Sequence, residues 1–201
     1  MIAIIDYGAG NLKNVKHALK LLEIDAFVTD DPSDLAQADG MILPGVGAFG
    51  EAMKRLEASG FVDTIKQEVD KGTPLLGICL GMQLLFDKSY EHGEHAGLGL
   101  IEGEIVRFSD DVKVPHMGWN QLALKQMTSL NEGVQDEDYV YFVHSYYAQA
   151  THEADILHET VYGKSFTSAV KRGHVMGMQY HPEKSSRVGM QLLKNFGEMV
   201  Q

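Results

Sequence analysis

The only cysteine in the chain, Cys79, sits where an apolar run gives way to a helix-like one, with Gly77 two residues before it and Gly81 two after it. Gly77-Ile78-Cys79-Leu80-Gly81 has the G-x-nucleophile-x-G spacing of a strand-turn-helix elbow. Glycines suit such an elbow because a Cβ would collide with crowded backbone. A cysteine there lies at a helix N-terminus, whose partial positive charge favours thiolate. The alternative is a lone buried cysteine acting as a small hydrophobe. Far along the chain, Tyr180-His181-Pro182-Glu183 follows the run Val175-Met176-Gly177-Met178-Gln179. A cysteine nucleophile needs a base to take its proton and return it to the leaving group, and the base needs a third group to fix its tautomer. His181 and Glu183 share one side of an extended chain, and Pro182 keeps His181 away from helical angles. His-x-Glu alone is a common coincidence. Beside a cysteine elbow it makes Cys79, His181 and Glu183 a candidate catalytic triad.

Pro44-Gly45-Val46-Gly47 lies between a strand-like and a helix-like run. Its close glycines let backbone N–H groups face a ligand, so the loop is either an oxyanion hole or an ordinary strand-to-helix turn. Asp6-Tyr7-Gly8-Ala9-Gly10-Asn11-Leu12 superficially resembles a nucleotide loop, but it lacks the Lys-Ser/Thr of a phosphate loop and the third glycine of a dinucleotide fingerprint. His92 and His95 read as loop surface, and no H-E-x-x-H or cysteine pairing supports zinc. The expectation is no metal and no cofactor.

These pieces need a scaffold that brings residues from distant parts of the chain to one edge. The first half alternates strand-like runs (Ile2 to Ile5, Ala26 to Val28, Gly40 to Leu43, Leu75 to Ile78) with amphipathic helical stretches. One helix carries Leu12, Val15, Leu19 and Leu22. Another carries Ala52, Leu56, Ile65 and Val69 and breaks near Gly60. Such alternation predicts an α/β fold, a central mostly parallel sheet flanked by helices. The reacting groups then lie at the carboxyl ends of strands, where Cys79 and His181 both fall. The second half reads as strands at Gly103 to Phe108, Asn120 to Lys125, Tyr139 to Gln149, Ile156 to Val161, Phe166 to Lys171 and Val175 to Tyr180. They imply an added antiparallel β element in the C-terminal half. A final helix starts near Ser185 or Ser186 and turns Gly189, Leu192, Leu193, Phe196 and Val200 inward.

At 201 residues the chain suits one domain, 1–201, with a sizeable core. A net charge of −11 disfavours nucleic acid or an anionic membrane as partner. Lys171-Arg172 and Lys184 to Arg187 are the local exceptions, most simply solvated surface. One cysteine excludes an internal disulfide framework and fits a reducing, cytoplasmic setting. Met1-Ile2-Ala3-Ile4-Ile5 lacks a basic flank and meets Asp6 at once, so it reads as a first strand rather than a signal peptide. No apolar run approaches a membrane span.

Gly77-Ile78-Cys79-Leu80-Gly81-Met82-Gln83 together with His181-Pro182-Glu183 resembles the class I (triad) glutamine amidotransferase family, and the resemblance runs end to end. Asp6 to Asn11, Pro44-Gly45-Val46-Gly47-Ala48-Phe49, His116-Met117-Gly118-Trp119-Asn120 and His181 to Ser186 resemble the branch that serves imidazole glycerol phosphate synthase. The anthranilate and aminodeoxychorismate branches usually carry a proline and a histidine where this chain has Val46 and Met82. The resemblance implies that Cys79 attacks the side-chain amide of L-glutamine, that His181 shuttles protons and that Glu183 orients it. It implies an oxyanion hole from the Leu80 N–H and the Gly45, Val46, Gly47 segment, with a peptide there that reorients. It places Gln83, Glu91, Ser145 and Tyr146 around the glutamine. It implies ammonia passing to the HisF cyclase subunit, with Trp119, Tyr141 and Lys184 near that interface; for Trp119, core packing is the rival reading. A glutaminase of another synthase, a free-standing cysteine γ-glutamyl hydrolase and a non-enzymatic module are the alternatives.

Overall fold

The computed structural model describes residues 1–200. Its first half runs β1 (Ile2–Ile5), α1 (Leu12–Leu21), β2 (Ala26–Thr29), β3 (Gly40–Leu43), α2 (Phe49–Ala58), α3 (Phe61–Asp70), β4 (Leu75–Ile78) and α4 (Leu80–Leu84). There follow β5 (Phe86–Ser89), β6 (His95–Ala96), β7 (Ile101–Arg107), β8 (His116–Gln121), β9 (Ala123–Leu124), β10 (Tyr139–His144) and β11 (Tyr146–Ala150). The chain closes with β12 (Ile156–Tyr162), β13 (Lys164–Arg172), β14 (Val175–Met178) and α5 (Ser186–Val200).

The main sheet has the order β2-β1-β3-β4-β14-β13-β11-β7-β5-β6. From β2 through β14 every pairing is parallel. β14-β13, β13-β11 and β11-β7 are antiparallel. The parallel strands read as continuous apolar runs because both faces are covered. Successive residues go to opposite sides of the sheet. Ile2, Ile4, Ile42, Leu76 and Met176 join Val15 and Leu19 of α1 and Leu192 and Phe196 of α5 in one core. Ala3, Ile5, Met41, Leu43 and Leu75 join Leu56 of α2 and Ile65 of α3 in the other.

The second half departs from the sequence reading in several places. Asn120 to Lys125 is not one strand. β8 starts earlier, at His116, and pairs with β10 in a separate two-stranded sheet, while β9 pairs with β12. Tyr139 to Gln149 is cut at Ser145, so that β10 serves the small sheet and β11 the large one. The run is apolar and aromatic on both sides of His144-Ser145, and nothing local marks a change of partner there. β14 stops at Met178, leaving Gln179 and Tyr180 beyond the strand. β5 and β6 had no sequence signal: β5 is the run Phe-Asp-Lys-Ser, with three polar residues. His95 is not loop surface; it lies in β6 with its ring against Gly50 of α2.

Candidate active site

β4 delivers Cys79 into the elbow. The cysteine has φ +55° and ψ −111°, outside the regions an L-residue adopts without cost. Its neighbours have no room for side chains. A Cβ on Gly77 would lie 2.6 Å from the Gly81 oxygen, and one on Gly81 would lie 1.8 Å from the Leu43 oxygen. The glycine spacing therefore reflects two close backbone approaches, one within the elbow and one from the elbow to β3. The Cys79 N–H donates to the Met178 oxygen at 2.7 Å, which ties the elbow to the strand leading to His181. Cys79 is 7% exposed, and its thiol lines a cavity of about 360 Å³, within the range of small-molecule sites. The Leu80 N–H opens α4 and has no acceptor within the helix.

His181 follows β14 and is held by backbone. Its N–H donates to the Tyr141 oxygen at 3.0 Å, and the Ser185 hydroxyl donates to its oxygen at 2.6 Å. α5 packs directly behind this turn; a Cβ on Gly189 would sit 1.9 Å from the Pro182 oxygen. The His181 Nδ1 lies 2.9 Å from Glu183 Oε1, and both side chains are buried. That bond leaves Nε2 free to work on a neighbour. Burial opposes a charge on His181, but the Cys79 sulfur and the Glu183 carboxylate outweigh it and hold the imidazole up at about 9.

The cavity collects most of the residues named from sequence: Val46, Gly47, Leu80, Gln83, Glu91, Ser145 and Tyr146 border it together with Cys79 and His181. Gly45 does not. It is buried behind the loop, where a Cβ would meet the Tyr7 hydroxyl at 2.7 Å and the Gly81 nitrogen at 2.9 Å. The Tyr7 hydroxyl donates to the Pro44 oxygen at 2.9 Å, pinning this end of the loop. Gly47 has φ +102° and open space around it, so the loop is free at one end and clamped at the other. Glu91 Oε2 accepts the Phe49 N–H at 2.8 Å, capping α2 where the loop runs into it. Gln83 donates from Nε2 to the Tyr146 oxygen and to Gln179 Oε1, both at 3.0 Å. Pro115, Val143 and His144 also line the cavity and were not anticipated. His144 ends β10 immediately before Ser145, which was the available signal.

Trp119 and Tyr141 lie outside the cavity, opposite each other in the β8-β10 register, with ring centroids 6.0 Å apart. Trp119 is 51% exposed, so core packing does not account for it. Lys184 is also exposed, at the end of the turn that carries His181 and Glu183. Among the described residues no helix is long and apolar enough to cross a membrane.

The family model described as glutamine amidotransferase class-I matches residues 3–200. A Wolinella succinogenes protein named imidazole glycerol phosphate synthase subunit HisH is 50% identical, over 99% of this chain and 100% of that one. Its namesake from Oceanobacillus iheyensis is 48% identical, over 100% of both chains. Two solved structures share the fold. A crystal structure of a glutamine amidotransferase has TM-score 0.79 at 22% identity, covering 100% of this chain and 99% of the other. The PurLQS structure from Thermotoga maritima has TM-score 0.77 at 18% identity, covering 100% and 98%. With a mostly parallel sheet that carries Cys79 and His181 at the carboxyl ends of neighbouring strands, and with relatives matched end to end, the chain belongs to the class I glutamine amidotransferase family.

Proposed function

We propose that this chain is the glutaminase subunit of an imidazole glycerol phosphate synthase, one domain over 1–201 that releases ammonia from L-glutamine for histidine biosynthesis. The observation that carries the reading is the meeting of Cys79, on its strained elbow, with the His181-Glu183 pair at one cavity. The Cys79 sulfur attacks the side-chain carbonyl carbon of glutamine. The oxyanion is met by the Leu80 N–H and by an N–H of the Val46-Gly47 loop. His181 protonates the leaving nitrogen, the C–N bond breaks, and ammonia departs from a glutamyl thioester. Water then enters, His181 takes its proton, and the thioester opens to glutamate and free Cys79. Glu183 holds the imidazole in one tautomer and balances its charge. Gln83, Glu91, Ser145 and Tyr146 hold the substrate.

The ammonia acceptor in this reading is the HisF cyclase subunit, docked on the face of Trp119, Tyr141 and Lys184. An exposed tryptophan beside a half-buried tyrosine on a two-stranded sheet suits an interface anchor. The test is glutamate release by the purified chain alone, with HisF, and with HisF plus its ribonucleotide ligand, using Cys79→Ala as the blank. Weak release alone and strong release in the full mixture is the expected result. Strong release that ignores HisF would sink this assignment in favour of a free-standing γ-glutamyl hydrolase or the glutaminase of another synthase.

A further inference from the structure

We propose that Gln179 is a thiolate-stabilising residue, donating its side-chain N–H to the sulfur of Cys79. Gln179 lies just past the end of β14 with no exposed surface. Its Nε2 is 3.8 Å from Cys79 Sγ, and among the described residues the sulfur is the only partner of that nitrogen. An amide has two orientations of nearly equal shape, and the hydrogen-bond network must choose between them. Here the choice starts at the Tyr146 carbonyl, which only accepts. The group facing it at 3.0 Å is therefore the NH₂ of Gln83. The second hydrogen of that NH₂ points to Gln179 at 3.0 Å and requires an oxygen there. With its oxygen committed to Gln83, Gln179 turns its own NH₂ to the sulfur. The opposite orientation would set two NH₂ groups face to face and aim a carbonyl at the nucleophile.

The far side of the Tyr146 carbonyl is equally determined. His144 Nδ1 donates to it at 2.8 Å, and His144 Nε2 meets His116 Nδ1 at 2.9 Å. Burial pushes His144 down to about 3, so it stays neutral with its proton on Nδ1. Both sets of donors converge on one backbone oxygen, which locks Gln83 and through it Gln179. A sulfur largely withdrawn from water gains most from such a donor when it carries charge. His181 supplies the proton traffic, and Gln179 supplies a neutral donor that does not compete for the proton.

The inference rests on Cys79 being the nucleophile, yet its test needs no turnover, so the two fail separately. Cys79 is the lone cysteine, and its alkylation by iodoacetamide can be followed against pH in the whole protein. In Gln179→Met, which keeps the length and removes the donor, the profile is expected to move to higher pH by about one unit. Gln179→Glu, which sets an acceptor against the sulfur, is expected to move it further. Gln83→Leu is expected to shift it in the same direction without touching the sulfur, because Gln179 is then free to flip. Packing loss alone lowers the unfolding temperature without moving the profile. Profiles that coincide with wild type in the folded Gln179 variants overturn the proposal, and if Gln179→Met does not fold, Gln179→Leu, which also removes the donor without adding charge, decides it.

Discussion

At the scale of residues, the pieces of the candidate site are separated by about half the chain and joined by a few short bonds. His181 and Glu183 form a buried pair in which the second carboxylate oxygen, Glu183 Oε2, has no partner among the described residues. The pair is thus built around one bond, from Nδ1 to Oε1. Glu183→Gln keeps the shape but removes the charge and leaves the tautomer of His181 unfixed. Glutamate release in the presence of the partner is expected to fall on the order of 10²–10⁴-fold, with the far-UV spectrum unchanged. The three residues of the candidate triad were legible because chemistry restricts their types and the elbow restricts their spacing. Gln179 was not. A glutamine after an apolar run carries no signal until the fold sets its side-chain nitrogen against a sulfur.

At the scale of elements, the elbow and the loop after β3 are one backbone-to-backbone unit. Gly81 lets α4 start directly against the Leu43 carbonyl, and Gly45 lets the loop lie on the Tyr7 hydroxyl and the Gly81 nitrogen. The Leu43 carbonyl and the Gly81 nitrogen are backbone, so these two contacts do not relax cheaply. Gly81→Ala is expected to cost about 3 kcal/mol, read as a lower denaturant midpoint at constant slope. Gly47→Ala acts differently. It has open space and φ +102°, so the strain is local, of order 1 kcal/mol, and activity rather than stability is expected to report it. The parallel half of the sheet was readable from strand-helix alternation. The antiparallel half was not, because a strand's partner is set by contacts remote in sequence, as the break at Ser145 shows.

At the scale of the whole molecule, the same architecture that builds the site buries histidines away from water. His144 and His158 are held down to about 3 by burial, and in the unfolded chain each returns to its ordinary value near 6.5. Below that value the unfolded chain takes up protons that the fold refuses, so stability falls as pH falls from about 6.5 towards about 3. Between about pH 7 and about pH 5.5 these two residues are expected to remove about 2 kcal/mol. Burial also holds His116 down, to about 4, so His158→Gln is expected to remove about a third of the slope in unfolding titrations. His181, held up at about 9, acts in the opposite window: its contribution is complete below about 6.5 and fades as pH rises through about 9. At the molecular surface, Trp119 stands half out of the β8-β10 sheet. Trp119→Ala is expected to weaken binding to HisF by about 2 kcal/mol, roughly 30-fold, in a titration of the two purified proteins.

Short-range rules were enough for the elements whose side chains repeat a local pattern: the parallel strands, the helices of the first half and α5, Cys79 between its glycines, and the His-Pro-Glu turn. Those features depend on φ/ψ limits, on alternation across a sheet and on the period of a helix, all short-range. The tertiary structure alone decided which strand joins which sheet, that Trp119 faces outward, that Gly45 supports the loop from behind rather than facing the cavity, and which way Gln83 and Gln179 turn their amides. Each of those depends on one group meeting another from a distant part of the chain. No local pattern records such a meeting.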